Sequence, residues 1–499
     1  MKRHIKTLSS LIILLFVFVF ITGCFGKNDP AIETPKEIEL SILSINDFHG
    51  QLEENDGEAG AARIATFINK TRNENPEGTI LLAAGDMFQG TGISNIGYGI
   101  DVVNFMNMMK FDAMTIGNHE FDWGLSTILA YRDGNLDNGE ANFPFLSSNI
   151  YQKSTEGLPQ YLDEYTMIER LGLKIAIIGY IGYDQTNDIS ASQLVDYEFL
   201  QPLELVRENI KKARTVDNAD VVIVSCHDDS SAINKALASG TGEYEVDAIV
   251  NAHTHSKVNK KILRSEDKRS VPTVQSGSSG ECVGLTTLKY DTEIDDVVEA
   301  SVINVNMSSK IAKDQQVLDY VNSITEKYSD VFDRKLCVAG ENISRSAGTA
   351  WAAKALYNYS IRELGECDIT LINSGGIRAS AFPVSKGQIV DVKRVYQMMP
   401  FDNKIIMVSL PGKILKNLLI ISDVVYAGTI TIVDGVAYIN GEIIKDDVYY
   451  NVAVIDFLFD KYESTFMQGT NIRKTELLFR DVLINEFEVI GQNNEQWLG

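Results

Sequence analysis

Between residues 38 and 306 the chain alternates short apolar runs with polar or helix-patterned stretches. The runs are 38–45 (IELSILSI), 79–85 (TILLAAG), 111–117 (FDAMTIG), 174–182 (KIAIIGYIG), 219–225 (ADVVIVS), 246–252 (VDAIVNA) and 271–277 (VPTVQSG). Each is rich in Val and Ile and apolar on both faces, the pattern of strands buried in a layered α/β sheet. Helices are predicted between them over 61–69 and 202–215. Apolar residues at helical spacing (Ile311, Val317, Val321, Ile324, Tyr328, Val331) predict a connecting helix over 308–336. From 337 to 499 a new α+β pattern begins. The expected parse is a layered α/β domain over 38–307, a linker helix, and a second, smaller domain over 337–499.

The first 37 residues read differently. Lys2, Arg3 and Lys6 precede an unbroken apolar run of eleven residues, Leu11 to Ile21. A spanning helix needs about 20 apolar residues, so the run matches an export signal over 1–24 better than an anchor. It ends in Ile21-Thr22-Gly23-Cys24, which resembles a bacterial lipobox with Cys24 as the lipidated residue. Residues 25–37 are polar and read as a tether. The expected location is extracytoplasmic, lipid-anchored to the bacterial cell membrane, with membrane contact through the lipid alone.

Charge narrows the partners. With 45 Lys+Arg against 68 Asp+Glu the net charge is −23, and such a surface repels nucleic acid polymers. A small phosphate ester in a locally basic pocket remains compatible with it. Four further cysteines, Cys226, Cys282, Cys337 and Cys367, form no C-x-x-C pair, which argues against a zinc knuckle or redox motif and leaves free thiols or one bridge open.

The candidate chemistry lies at the strand ends. Five of the six histidines follow predicted strands directly: His49 in NDFHG, His119 in GNHEFD, His227 after VVIVSC, and His253 and His255 in NAHTH. Asp47 precedes His49 by two residues, and Asp86 follows TILLAAG. Carboxyl ends of strands in an open α/β sheet gather ligands, and i, i+2 pairs in extended chain face one way. Mixed imidazole and carboxylate donors without thiolate suit Zn²⁺, Mn²⁺, Fe or Co better than Ca²⁺ or Mg²⁺.

The series D-x-H, G-D, G-N-H-E, lone His and H-x-H resembles the calcineurin-like metallophosphoesterase superfamily. With Asn373-Ser374-Gly375-Gly376-Ile377-Arg378 downstream, it is similar to the bacterial 5′-nucleotidase family, which includes UDP-sugar hydrolases and cyclic-nucleotide phosphodiesterases. The resemblance implies a four-layer αββα catalytic domain and an α+β substrate-binding domain. It implies two divalent ions, one held by Asp47, His49 and His255, the other by Asn118, His227 and His253, with Asp86 bridging. It makes His119 the catalytic histidine, oriented by Asp122, and Asn373, Gly376 and Arg378 substrate contacts. Pro400-Phe401-Asp402-Asn403 matches a stretch expected to be mainly structural.

The chain departs from the family near its C-terminus. The usual G-G-D-G-[FY] element, whose aromatic residue stacks on the base, is replaced by Phe459-Asp460-Lys461-Tyr462-Glu463-Ser464-Thr465-Phe466. Phe466 is the expected counterpart of that aromatic residue, Glu463 an approximate one, and Tyr426 a candidate for the other half of the clamp. The expected function is release of phosphate from nucleotides. The alternatives are hydrolysis of 2′,3′-cyclic nucleotides or nucleotide-sugars, another ester hydrolase such as a thiosulfate-handling relative, and a non-catalytic metal-binding surface lipoprotein.

Overall fold

A computed structural model describes residues 36–499 apart from 56, 57 and 366. The export signal, Cys24 and all but the last residues of the tether lie outside the described residues. Two sheets stack face to face in the catalytic domain. The first has seven strands in the order 296–306, 282–291, 37–45, 79–83, 113–115, 145–146 and 162–163. The second has six, in the order 257–263, 270–276, 248–250, 221–227, 173–181 and 165–170. In the first sheet the strands from 37–45 to 162–163 run parallel and 282–291 and 296–306 add on antiparallel; in the second the central strands run parallel and both edges antiparallel.

The two-faced strands explain the layering. Ile38, Leu40 and Ile42 meet Ile175, Ile177, Val221 and Ile223 between the sheets. The alternate residues Leu43 and Ile45 face outward onto Ile64 and Ile68 of helix Gly60–Glu74. On the far side Ala176, Ile178, Val222 and Val224 pack under Val206 and Ile210 of helix Pro202–Thr215. Such strands bury both faces only when sheet and helix cover them, which gives the α/β/β/α sandwich. The long strand 282–291 and the edge strand 296–306 beyond it carry an alternating rather than continuous apolar pattern. They were not among the strands expected from apolar runs.

The chain leaves the sheets at Asn306 and enters helix Gln315–Phe332, capped by Asp314 accepting from Val317 N. The C-terminal domain has a five-stranded sheet in the order 424–428, 369–373, 449–455, 404–411 and 470–478. Helices Arg345–Tyr359 and Phe479–Gln492 cover it, with Trp351 stacked on Phe487 at 4.0 Å. The domains touch through polar and aromatic contacts. Asn95 donates to Pro400 O at 2.7 Å, Lys393 pairs with Glu53 at 2.6 Å, and Phe332 meets Tyr396 edge to face at 5.2 Å. All four described cysteines are free and buried. Among the described residues no helix is long and apolar enough to cross a membrane.

Candidate dinuclear metal site and leaving-group cleft

Five strand ends deliver the seven predicted donors to one place. Asp47 and His49 follow strand Glu37–Ile45, Asp86 follows Thr79–Ala83, and Asn118 follows Ala113–Thr115. His227 ends strand Val221–His227, and His253 and His255 follow Ala248–Val250. Asp47, His49, Asp86, His253 and His255 all have positive φ, between 49° and 82°. A left-handed backbone costs a non-glycine residue about 1–2 kcal/mol, so five together persist only because neighbouring loops hold them. Asp47 N donates to Gly85 O and His49 N to Asp86 O, both at 3.0 Å, and His253 N donates to Asp47 Oδ2 at 3.0 Å. Only glycine fits between the loops: a Cβ on Gly117 would stand 2.3 Å from Asp86 Oδ1.

The donors form two groups. Asp47, His49 and His255 bring ligand atoms within 4.8 Å of one another, as do Asp86, His227 and His253. Asp86 also groups with His49, so it lies between the two. Asn118 Oδ1 joins the second group, 3.1 Å from both His227 Nε2 and His253 Nδ1. Hydrogen-bond chemistry tests whether cations fit. His49 Nδ1 contacts Gln89 O at 2.9 Å and His227 Nδ1 contacts Ala84 O at 2.8 Å. A carbonyl only accepts, so each Nδ1 carries the hydrogen and Nε2 of the neutral ring is a bare lone pair. Those lone pairs face acceptors or another imidazole: His49 Nε2 lies 3.1 Å from His255 Nε2, and His227 Nε2 lies 3.1 Å from Asp86 Oδ2. Acceptors converging on acceptors call for cations, and the residues fit a dinuclear metal centre.

Burial sets the charges. It holds His49 well below the usual imidazole range and His255 at about 4, so both rings are neutral, the form that ligates. It lifts Asp47 to about 7, with Asp86 adding to the rise. Asp86 stays well below the carboxylate range despite its burial, because His227 and His119 surround it. Burial opposes a proton on His227, but the Asp86 carboxylate outweighs it and lifts the ring to about 10. The pair thus attracts positive charge between them, a proton or a divalent ion.

His119 stands beside this cradle. Its Nδ1 contacts Asp122 Oδ2 at 2.8 Å, and its backbone N donates to Asp86 Oδ1 at 2.9 Å. Burial acts to lower its pKa, but Asp122 and Asp86 leave it above the usual value. Arg378, from the other domain, brings Nη2 to 3.4 Å from His119 Nε2. Phe401 lies under both: its ring stacks on His119 with centroids 5.8 Å apart and sits 4.8 Å from the Arg378 guanidinium carbon.

Two supporting residues carried no role in the sequence reading. Glu120 is fully buried and accepts from the backbone N–H of Asp86, Met87 and Gly117 at 2.7–2.9 Å. Its place in G-N-H-E was the available signal. Asn46 donates to Asp47 Oδ2 at 2.6 Å and to Gly277 O at 2.7 Å, fixing that carboxylate's orientation. Nothing in the sequence separates Asn46 from a helix cap or turn residue.

The adjoining cleft, a cavity of about 500 Å³ between the domains, is lined by His119, Arg378, Asn373, Gly376, Phe401 and Phe457 among others. Asn373, Gly376 and Arg378 therefore sit where substrate contacts were expected. Asn373 Oδ1 is buried with no hydrogen-bond partner among the described residues. Phe466 does not sit there. It is fully buried and stacks on Phe459 at 5.1 Å. Without the glycine pair the segment stays helical over Asp456–Lys461 and Glu463–Phe466, and the helical period turns Leu458, Phe459 and Phe466 into the core. Phe457, one step off that stripe, faces the cleft instead. Glu463 and Tyr426 are absent from its lining. The 400–403 stretch proves to be more than structural. Asp402 pairs with Arg480 at 2.5 Å and Asn403 donates to Asp456 at 2.9 Å, and these ties present Phe401 to the cleft.

Comparison with known proteins bears on the fold and the order of the two domains. Residues 40–257 match the calcineurin-like phosphoesterase model, and residues 329–431 match that of the 5′-nucleotidase C-terminal domain. An apyrase of Tabanus yao is 29% identical over 419 residues, covering 76% of this chain and 72% of its own. A 5′-nucleotidase of Vibrio parahaemolyticus is 26% identical over 442 residues, covering 80% and 77%. Among solved structures, the 5′-nucleotidase precursor of Thermus thermophilus superposes with a TM-score of 0.75 over 91% of this chain and 97% of its own, at 19% identity.

Proposed function

We infer that this chain, a calcineurin-like phosphoesterase with a 5′-nucleotidase C-terminal domain and thus a metal-dependent hydrolase of phosphoric esters, releases orthophosphate from nucleoside 5′-monophosphates. The observation that carries the reading is the meeting of Arg378 and His119. Two donors from separate domains lie 3.4 Å apart at the edge of a seven-donor cradle, with an aromatic-lined cleft beyond them.

Asp47, His49 and His255 would hold one divalent ion and Asn118, His227 and His253 the other, with Asp86 between them. Zn²⁺, Mn²⁺, Co²⁺ and Fe are the metals this donor set favours. Bound, the ions supply a water of lowered pKa and offset the charge that gathers on the phosphoryl oxygens. Arg378 binds those oxygens as a fork, its burial strengthening the attraction. His119 holds a proton at Nε2, and Asp122 fixes the ring so that this proton faces the phosphoryl group or the leaving oxygen. Transfer to the nucleoside oxygen lets the alcohol depart into the cleft, where Phe457 and Phe401 offer aromatic surface to the base.

One observation favours a second reading. A larger cavity of about 1080 Å³ meets His49, His255 and Arg378 from the other side, lined by Glu53, Glu58, Ser279, Lys313 and Arg394 among others. It offers room for a second ester arm, as in a nucleotide-sugar. The lipobox-like Cys24 supports an extracytoplasmic, lipid-anchored location.

Phosphate release by the protein lacking residues 1–24, with Mn²⁺, Co²⁺ or Zn²⁺, tests the reading. Offered AMP, a nucleotide-sugar, a 2′,3′-cyclic nucleotide and p-nitrophenyl phosphate, the enzyme should prefer AMP, and Asp86→Asn should abolish release. Preference for the nucleotide-sugar would favour the second reading, and equal rates on all four would refute nucleotide specificity.

A further inference from the structure

We propose that the catalytic domain itself reads the leaving base, through Gln193, and selects bases that present an adjacent donor and acceptor, as a 6-aminopurine does. The inference rests on the nucleotidase reading and deepens it.

Gln193 belongs to a loop over residues 182–194 that roofs the cleft from the catalytic domain. The loop is tied at four points. Gly182 N donates to His227 O at 3.0 Å, and the Gln185 amide donates to the same carbonyl. Asp188 lies 3.6 Å from His253 Nε2. Ser190 Oγ crosses to the other domain and donates to Asp460 at 2.9 Å. Gln193 closes the 3₁₀ turn Ala191–Gln193, its N–H donating to Ser190 O at 2.9 Å. Gln193 is one of the residues lining the cleft whose opposite wall carries Asn373 and Phe457, and its amide oxygen lies beside Gly124, where it would stand 3.4 Å from an added Cβ. A loop fixed at both domains places this amide at low entropic cost.

Apart from Asn373, whose buried Oδ1 has no partner among the described residues, the charged groups of the C-terminal wall are spent on one another. Asp423 pairs with Lys461 at 3.3 Å and accepts from Ser374. Asp456 accepts from Asn403 and from Phe457 N, and Asp402 pairs with Arg480. Among the described residues the Gln193 amide makes no hydrogen bond within the chain. A carboxamide offers one donor and one acceptor in a plane, the complement of an amino group beside a ring nitrogen.

The aromatic wall cannot supply that choice. With Phe466 turned into the core, the 456–466 segment gives the cleft one aromatic residue, Phe457, beside Asp456 and Lys461. Every base has a face to stack, so stacking tolerates all of them, whereas a polar edge rejects a base lacking its complement.

The test is a two-by-two cycle on the metal-loaded enzyme. kcat/KM is measured for AMP and for purine riboside 5′-monophosphate, which lacks the 6-amino group, with wild type and Gln193→Ala. Wild type should favour AMP about tenfold, the worth of one well-made hydrogen bond. Gln193→Ala should bring the ratio to within about twofold of unity, and Gln193→Glu, which keeps an acceptor for the amino group, should retain part of the preference. A ratio that the Gln193→Ala substitution leaves unchanged overturns the inference. If AMP is meanwhile hydrolysed well, the nucleotidase reading survives. If wild type hydrolyses AMP no faster than p-nitrophenyl phosphate, both fall together.

Discussion

The metal cradle and the leaving-group cleft adjoin, yet they are built on opposite principles. The cradle is set at strand ends, and most of its donors are buried. Five of its residues are held in left-handed backbone by hydrogen bonds from neighbouring loops. The cleft is bounded by short helices, turns and loops from both domains, tied by single contacts such as Ser190 to Asp460 and Asn403 to Asp456. Rigid placement serves a reaction whose geometry must hold to fractions of an ångström. On the proposed reading the looser cleft receives a leaving group that must enter and depart, and loops can change there without disturbing the chemistry.

The largest expected effect strikes the cradle at its centre. Asp86→Asn should lower phosphate release about a thousandfold or more and reduce the metal bound per chain, read by elemental mass spectrometry. His119→Ala should separate chemistry from metal binding. Turnover should fall about 10²–10³-fold while metal content stays at the wild-type level; loss of the metal would place His119 among the ligands instead.

Two phenylalanines then set core against cleft. Phe466→Ala should cost about 3–5 kcal/mol of stability, seen in denaturant unfolding, with KM for AMP little changed. Phe457→Ala should raise KM for AMP about tenfold with little change in stability. Reversed results would restore the sequence-based expectation that Phe466 touches the base.

The smallest effect is a displacement along the pH axis. The Asp122 carboxylate favours the imidazolium of His119, so Asp122→Asn should lower that pKa. If the protonated ring is the acting form, activity lost on the alkaline side should then disappear at lower pH than in wild type. An unmoved alkaline limb in the pH–rate profile would assign that limb to another group.

The same contrast explains what could be read from the sequence. Buried parallel strands announce themselves as continuous apolar runs, and metal donors are chemically rare residues, so Asp47, His49, Asp86 and the later histidines stood out. Glu120 acts through backbone contacts and Asn46 through the Asp47 carboxylate and a neighbouring carbonyl, and neither leaves a periodic trace. Strands 282–291 and 296–306 carry no continuous apolar run because about half their side chains face away from the core. Phe466 was misplaced because its role was inferred from a glycine-rich element the chain lacks, and helical period decided its direction instead. Phe457 and Gln193 reach the cleft through tertiary packing between domains, to which no local pattern points.

The central claim, that two divalent ions in this cradle drive phosphoric ester hydrolysis, meets its most direct test in one titration. Metal-free protein lacking residues 1–24 is loaded stepwise with Mn²⁺ while bound metal and phosphate release from AMP are followed together. Release should rise only as occupancy passes from one ion to two per chain, and saturate at two. Full release at one ion, or release from the metal-free protein, would contradict it.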